Sequence, residues 1–333
     1  MCGSRAWCGR GTRPARGATV ALKTYSRGAF EARGGESAEA ELRSLAVSGG
    51  HAGVVALHEV AACEDAAYAV LEYAPYGDLY DRLEAAGPLP AREVASVARQ
   101  LAGALAHCHA RGVAHRDVSP ENVVVGAGGT LKLVDFGLSG AMALDGSLPA
   151  REPVGKLFYM APELLERAPH LGAPADMWSL GCVLFLMLTG SPAWEAAAPA
   201  DGDGGEDAYA RVTARGDLEG LLLERGAPPC PRELLDVLSA LLAEDPRARP
   251  SAAEVLASPW LAAPECAACG AGDAAAERFL GPRTLSVVSA AMSELDAAGD
   301  ETVEPVRNAD AAECAWAVAS PGSSACDTPM ATP

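Results

Sequence analysis

The chain has 333 residues, of which 50% are hydrophobic, so it can bury the core of one large domain or two ordinary ones. Its 26 Lys and Arg are outnumbered by 44 Asp and Glu, and the formal charge of -18 argues against nucleic acid or an anionic membrane as the main partner. This composition also excludes a chain that is disordered over most of its length.

The ten Cys are scattered, as is typical of reduced thiols and not of a disulfide framework in a chain of this size. No apolar run reaches the roughly 20 residues needed to cross a bilayer, and the longest, 177–188, fits a helix buried in a core. The N-terminus is rich in Arg but lacks the apolar segment of a secretory signal. We therefore expect a cytoplasmic or nuclear protein that has no membrane partner.

The first 73 residues favour a small domain that is mainly β. Residues 19–25 alternate and are rich in strand formers, which predicts a strand. Residues 36–47 are rich in Ala, Glu and Leu and predict a helix, while the apolar runs 51–60 and 67–73 predict two antiparallel strands. The tripeptide Gly9-Arg10-Gly11 is interpreted as a turn.

The pattern changes to long helices after residue 73. Residues 91–111 carry Val94, Val97, Leu101 and Leu105 at helical spacing, and further helices are predicted near 232–243 and 251–261. The last segment is rich in Ala, Gly, Ser and Asp and predicts a disordered acidic tail. The predicted boundaries are 1–73, 74–262 and 263–333.

Four short motifs occur in an order that indicates phosphoryl transfer, a reaction that needs a Lys, two metal ligands and a carboxylate to aim a hydroxyl. They are Val20-Ala21-Leu22-Lys23, His115-Arg116-Asp117-Val118-Ser119-Pro120-Glu121-Asn122, Asp135-Phe136-Gly137 and Ala161-Pro162-Glu163. Each tripeptide is common by chance, but this ordered set is not. From about residue 3 to residue 262 the chain therefore resembles the eukaryotic protein kinase family.

The resemblance implies an α+β, two-lobed fold with a small antiparallel β N-lobe, which carries one helix, and a larger, mainly helical C-lobe. The chain resembles Ser/Thr kinases of the calmodulin-dependent and AMP-activated branch, chiefly through Glu72-Tyr73, Gly77-Asp78-Leu79 and Asp135-Phe136-Gly137-Leu138-Ser139. The resemblance implies ATP and Mg²⁺ as cofactors and a protein as substrate. Asp78 and Glu121 are expected to receive an Arg upstream of the phosphosite.

The family's catalytic roles carry over to matching positions. By resemblance, Lys23 holds the α- and β-phosphates of ATP, and Asp117 accepts the proton of the substrate hydroxyl. Asn122 and Asp135 are expected to bind Mg²⁺. Arg249 resembles the Arg that pairs with Glu163 as part of the scaffold.

The resemblance also implies a set of nucleotide contacts at the junction of the two lobes. These are Ala21 and Val124 around the adenine, Leu71, Glu72 and Ala74 at the hinge, and Asp78 at the ribose. Lys23 needs a carboxylate on the helix 36–47 to orient it. We favour Glu41, because Leu45 lies one turn further on the same side, and keep Glu39 as the alternative.

The Gly-rich loop departs from the family pattern. Counting back from Lys23, Gly3 falls at the second Gly of the loop, Ala6 replaces the third, and Met1 coincides with the first. We expect the first strand and the start of the loop to be missing, either because the N-terminus is truncated or because the cover over the phosphates is partly open. Gly3 remains the candidate phosphate contact. The departure favours a second reading, a pseudokinase that binds partners without efficient turnover.

The catalytic loop, residues 115–122, departs at Ser119, where Ser/Thr kinases usually carry a Lys. Lys156 follows Gly155, at a position where those kinases usually carry a Thr. Our hypothesis is that the Lys156 ammonium group reaches back to the catalytic loop and supplies the missing charge, with Ser119 as its hydrogen-bond partner. The alternative is that Lys156 points to solvent.

Arg116, beside Asp117, marks kinases that commonly need a phosphorylated activation loop. No Thr lies between Asp135 and Glu163, and Glu152 stands three residues before Gly155. We therefore predict that Glu152 pairs with Arg116 and that phosphorylation of this segment is not required. Ser139 and Ser147 are the remaining candidate phosphosites.

Overall fold

The computed structural model describes residues 6–12, 19–26, 38–62, 66–149, 155–167, 169–194 and 208–263. These residues group into two compact units. The first contains the described residues up to 26 and those of 57–73, and the second contains those of 38–56 and 74–263.

The first unit is an antiparallel sheet of four strands in the order β1-β2-β4-β3. The strands are β1 Ala6–Thr12, β2 Thr19–Ser26, β3 Leu57–Ala62 and β4 Ala66–Glu72. In the register of the sheet, Lys23 lies opposite Cys8 of β1 and Ala69 of β4. Along β4 the buried residues alternate with partly exposed ones, as expected for a strand with one face on a core.

The turn predicted at Gly9-Arg10-Gly11 is wrong. These residues lie inside β1, where Gly9 pairs with Leu22 and Gly11 pairs with Val20. Gly disfavours a strand locally, but β2 is a long β-rich strand that offers a full ladder of backbone partners. Pairing with a neighbour therefore outweighs local preference at this position.

The second unit is mainly helical. Its helices are α1 Ala38–Val47, α2 Leu79–Ala86, α3 Ala91–His109, α4 Pro162–Leu165, α5 Gly172–Thr189, α6 Ala208–Thr213, α7 Leu218–Glu224, α8 Arg232–Leu241, α9 Ala252–Leu256 and α10 Pro259–Ala262. Short 3-10 turns occur at Pro120–Asn122, Ala127–Gly129, Phe136–Leu138 and Leu157–Tyr159.

Short antiparallel strand pairs connect these helices. β5 Val113–Ala114 pairs with β8 Gly140–Ala141, β6 Val123–Val125 with β7 Leu131–Leu133, and β9 Ser147–Leu148 with β10 His170–Leu171. The β6–β7 hairpin connects the catalytic loop to Asp135, so pairing of these strands brings the two motifs together.

The core of the second unit lies between α3 and α5. The four apolar residues predicted to line one face of the first long helix, Val94, Val97, Leu101 and Leu105, are all buried on α3. Helix α5 is long and apolar enough to cross a membrane by length and composition, but 89% of it is buried inside the protein. That burial is expected of a core helix, which is the role predicted for 177–188.

Helix α1 groups with the second unit, although the sequence assigned it to the first 73 residues. It packs against the turn Phe136–Leu138. Next to it, Val55 N donates to Leu133 O (3.1 Å) and Leu133 N donates to Gly53 O (2.8 Å). Because residues 53–55 bond to β7, strand β3 begins only at Leu57, later than the apolar run 51–60 predicted.

The helix predicted over 251–261 is divided into α9 and α10. The division arises because the Ser258 hydroxyl caps a new helix, accepting from Leu261 N at 3.4 Å, and Pro259 occupies its first turn. The predicted acidic tail, 263–333, lies outside the described residues except for Ala263.

Candidate active site

In the first unit, Lys23 is nearly buried on β2, with 7% exposure. Its ammonium nitrogen lies 5.7 Å from the ring centroid of Tyr25, two residues further along the strand. Ala21 lies directly opposite Leu71 of β4, and both are buried. Since side chains of a strand alternate and paired residues share a face, Ala21, Lys23 and Leu71 lie on one face of the sheet. Glu72, opposite Val20, is partly exposed.

In the second unit, the catalytic loop is held by one buried carboxylate, that of Asp176 on α5. Asp176 Oδ2 accepts from His115 N (2.8 Å), and Oδ1 accepts from Arg116 N (2.7 Å). His109 Nε2 donates to the same carboxylate at 2.8 Å. Burial alone would raise the pKa of Asp176, but the hydrogen bonds from His109 and from the backbone N–H of Arg116 hold this pKa below its usual value.

Asp117 and Asn122 form the centre of this loop. Asn122 Nδ2 donates to the carboxylate of Asp117 (2.6 Å) and to its backbone oxygen (2.8 Å). Because the amide nitrogen makes both bonds, the amide oxygen of Asn122 is left to bind a cation. The backbone N of Asp117 donates to His115 Nδ1 at 3.3 Å, which fixes the loop on its other side.

Asp135 is positioned from the same loop. Val134 N donates to Asn122 O (2.9 Å), and His115 Nε2 donates to Val134 O (3.0 Å). The His115 ring also contacts the buried Phe136 ring edge-on, with centroids 4.8 Å apart. Asp135 adopts a positive φ of 60°, and its Oδ1 accepts from Gly137 N at 3.2 Å. Asn122 and Asp135, the two residues expected to bind Mg²⁺, are therefore linked by the backbone hydrogen bond from Val134 to Asn122.

The structure distinguishes the two candidate carboxylates of α1. Glu41 is buried, whereas Glu39 is exposed and pairs with Arg43 at 2.5 Å. A Cβ added at Gly137 would lie 3.5 Å from Glu41 Oε2 and 3.1 Å from Asp135 Oδ1. Both carboxylates therefore border Gly137, and Glu41 is the acid of this helix that faces the site within the second unit.

Lys156 lies against the catalytic loop. Its ammonium nitrogen donates to Ser119 Oγ at 2.8 Å, and it lies 3.6 Å from Asp117 Oδ2 and 3.9 Å from Glu121 Oε2. Ser119 is fully buried, while the Lys156 side chain is 35% exposed. The expected contact between Lys156 and Ser119 is therefore present, and its catalytic role stays a prediction.

Asp78 and Val124 form an isolated antiparallel bridge, and Ala74, nearby in the chain, is partly exposed. The Asp78 carboxylate accepts from Asp81 N at 2.9 Å and so caps α2. Burial raises the pKa of Asp78, and the negative charges of Asp81 and Glu121 add to the effect. The carboxylate predicted to meet the ribose is thus also a helix cap.

Two of the predicted residues, Gly3 and Glu152, lie outside the described residues. Arg116, the expected partner of Glu152, is buried, and its Nη1 donates to Leu138 O at 3.2 Å.

The predicted scaffold pair is confirmed. Arg249 Nη1 and Nη2 donate to the two carboxylate oxygens of Glu163 at 2.7 and 2.8 Å. The guanidinium group also stacks over Trp178, 4.9 Å from its ring centroid. This pair fixes the chain just beyond Lys156 to the end of the helical unit.

Two contributions were missed by the sequence analysis. The sequence pattern assigns Asp176 no role, although a carboxylate on so apolar a helix needs buried partners and could have suggested its contacts with the catalytic loop. Gly155, used above only to locate Lys156 and Glu152, is the second residue whose contribution the sequence does not show. Its φ is +100°, and an added Cβ would lie 3.0 Å from Arg116 O and 3.3 Å from Asp117 Oδ1.

The donors at the predicted Mg²⁺ site are oxygens, which suit this hard cation. Within the part of the chain that the structure describes, no group of three or more His, Cys, Asp or Glu is placed to hold a metal ion. One carboxylate and one amide fit the usual way in which proteins hold Mg²⁺, since substrate phosphates and water complete its shell. The residues present therefore fit the ion.

Comparison with known proteins agrees with this geometry. Residues 2–261 match the family model described as the protein kinase domain. CBL-interacting serine/threonine-protein kinase 24 of Arabidopsis thaliana is 42% identical over 140 residues, 42% of this chain and 31% of that protein. Calcium/calmodulin-dependent serine/threonine-protein kinase 1 of Oryza sativa subsp. japonica is 33% identical over 231 residues, 68% of this chain and 36% of that protein. The chain spans about a third of the length of these relatives.

Proposed function

Since this chain belongs to the protein kinase family, we propose that it is an active Ser/Thr protein kinase, which transfers the γ-phosphoryl group of ATP to a protein hydroxyl. Protein kinases use ATP and Mg²⁺ and act on protein substrates. The observation that carries the proposal is the pair of hydrogen bonds from Asn122 to Asp117, 2.6 and 2.8 Å long, beside the backbone bond from Val134 to Asn122. A chain freed from catalysis has no chemical need for this set together with Lys23.

In the proposed reaction, the substrate hydroxyl oxygen forms a bond to the γ-phosphorus while the bond from that phosphorus to the bridging oxygen breaks. ADP leaves, and the hydroxyl proton passes to the Asp117 carboxylate. Asn122 holds that carboxylate in a fixed orientation. The Asn122 amide oxygen and Asp135 would hold Mg²⁺, which neutralises phosphate charge when bound.

We also propose that substrates carry an Arg upstream of the phosphosite. Support comes from the position of two acids: Glu121 lies in the catalytic loop, and Asp78 forms a bridge with Val124, two residues beyond that loop. Burial raises the pKa of Asp78, and the negative charges of Asp81 and Glu121 add to the effect. Two carboxylates that repel one another gain from a shared guanidinium partner.

A direct test is the transfer of radiolabelled phosphate from ATP to basic Ser/Thr peptides, made with and without an upstream Arg. The wild-type chain should label the Arg peptide better. Asp117→Asn should lower kcat by about 10²–10⁴-fold, the usual contribution of a general base. Asp236→Asn, a matched change at an exposed ion pair on α8, should keep wild-type activity.

Thermal unfolding of both variants checks that they are folded. Wild-type labelling no greater than that of folded Asp117→Asn would overturn the proposal and favour the pseudokinase.

A further inference from the structure

One ammonium group, that of Lys156, is surrounded by three polar side chains of the catalytic loop. Ser119 Oγ accepts from it at 2.8 Å, and the carboxylates of Asp117 and Glu121 lie at 3.6 and 3.9 Å. An ammonium group has three N–H donors, and only the contact with Ser119 has the length of a good hydrogen bond. Lys156 therefore has donors to spare for a further anionic oxygen next to Asp117.

The backbone of the segment 155–159, which we call the Lys156 loop, is fitted closely to the catalytic loop. At Gly155, which has a positive φ, an added Cβ would lie 3.0 Å from Arg116 O and 3.3 Å from Asp117 Oδ1. Only a residue without a side chain allows this approach. The backbone position of Lys156 is therefore fixed by the close packing of Gly155 against Asp117, the residue proposed to accept the proton.

The choice of Lys at this position is unusual for the chain. Only three of its 26 basic residues are Lys, namely Lys23, Lys132 and Lys156, and all others are Arg. A Lys ammonium is a compact point charge, whereas Arg presents a wide planar fork. The site beside Ser119 and Asp117 thus carries the smaller cation in a chain whose basic residues are mostly Arg.

The catalytic loop itself contains no Lys, and its Arg116 is directed to the backbone of Leu138. We propose that Lys156 is a catalytic residue, whose ammonium group enters the phosphoryl-transfer site from the Lys156 loop and binds the transferring phosphoryl group beside Asp117. Ser119 is its positioning residue, because the buried hydroxyl holds the ammonium through a hydrogen bond. This inference rests on the proposed function, since it assigns a second group to the same transfer.

The first test is kinetic. Lys156→Met keeps the length of the side chain and removes its charge, so kcat should fall by about 10²–10³-fold, as for loss of one preorganised donor to a developing charge, with a smaller change in KM for ATP. Lys132→Met is the matched control, because Lys132 donates to Ala52 O at an exposed position and should keep wild-type kinetics.

A reciprocal exchange tests whether the charge itself matters. Lys156→Thr should be as impaired as Lys156→Met. Adding Ser119→Lys to it returns an ammonium group to the catalytic loop and should recover activity by about tenfold or more, a sizeable part of one donor's contribution. An exchange variant no more active than Lys156→Thr would contradict the proposal.

The second test does not depend on turnover. Because the chain has three Lys, acylation of the native full-length protein with an amine-reactive reagent, read by peptide mass spectrometry, reports each amine separately. Mg²⁺ with a non-hydrolysable ATP analogue should slow acylation of Lys156 and leave Lys132 unchanged. Equal labelling of Lys156 with and without the analogue would overturn the inference.

The two proposals can fail separately. A wild-type chain without transferase activity overturns the proposed function. An active wild-type chain whose folded Lys156→Met variant has the same kcat overturns only the role of Lys156.

Discussion

The catalytic loop and the Lys156 loop both reach Asp117, but they are fixed in different ways. Buried groups hold the first: Asp176 binds two of its backbone N–H groups, and Asn122 bonds to Asp117 directly. The second reaches the site through one hydrogen bond to Ser119 and two longer ion pairs, with the Lys156 side chain 35% exposed.

This difference separates two requirements of the proposed transfer. The Asp117 carboxylate and the Asn122 amide are preorganised within the catalytic loop, so their geometry does not depend on the Lys156 loop. The cation belongs to the Lys156 loop, and helix α4, which follows this loop, is fixed by the pair of Glu163 and Arg249. The positive charge of Lys156 therefore lies beside Asp117 only while the Lys156 loop keeps its position.

The largest expected effect comes from breaking the ion pair of Glu163 and Arg249, which holds the chain just beyond the Lys156 loop. Arg249→Met removes a fully buried guanidinium and leaves Glu163 without its partner, which should cost about 3–5 kcal/mol of unfolding free energy. Arg232→Met, at an exposed pair with Asp236, should change stability by less than about 0.5 kcal/mol. Urea unfolding measures both, and equal losses would show that the buried pair is not the anchor.

The next effect comes from breaking the anchor of the catalytic loop. Asp176→Asn keeps the shape but presents an amide NH₂ to a backbone donor, so one buried N–H loses its acceptor. We expect a loss of about 2–4 kcal/mol at neutral pH, together with reduced activity. Chemical unfolding and the peptide assay measure the two effects.

The same variant tests the sign of the pH dependence. Because the folded protein lowers the pKa of Asp176, the stability it contributes is present above the unfolded pKa and is lost as pH falls through the folded one. Wild type should therefore lose stability more steeply than Asp176→Asn between about pH 5 and pH 3. Parallel curves would contradict this account.

The smallest expected change in stability lies where the two loops touch. Gly155→Ala adds a Cβ against Arg116 O at a positive φ and should cost about 1–3 kcal/mol. By displacing Lys156 it should also lower kcat by about tenfold or more. Gly216 also has a positive φ, +66°, but a Cβ added there would meet no atom within 4 Å, so Gly216→Ala should cost about 1 kcal/mol of strain and leave kcat unchanged.

Much of the fold could be predicted because its signals are local. The strand at 19–26, helix α3 and the core helix α5 follow from alternation, helical spacing and an apolar run. The protein-kinase fold predicted from the ordered motifs is confirmed by the match over residues 2–261. The residues of the site, the Arg preference and the cytoplasmic or nuclear location stay predictions.

Other features could not be predicted because they depend on partners far away in the chain. Gly9 and Gly11 become strand residues only because β2 offers them a ladder. Helix α1 joins the second unit through contacts with the turn Phe136–Leu138. Glu41 is preferred over Glu39 on the helix pattern alone, but its burial beside Gly137 is visible only in the structure.

By itself the sequence determined the kinds of chemical group that are present and their order, from Lys23 to Asp135, because motif spacing is a property of the chain. Only the tertiary structure decided that Lys156 meets Ser119, 37 residues away, and that Asp176 holds His115, 61 residues away. The contact of Asp176 with His115 arises because helix α5 is buried and its one carboxylate must find donors. The motifs left open whether Lys156 meets Ser119 or points to solvent, and local pattern carries no information about which donors the buried carboxylate meets.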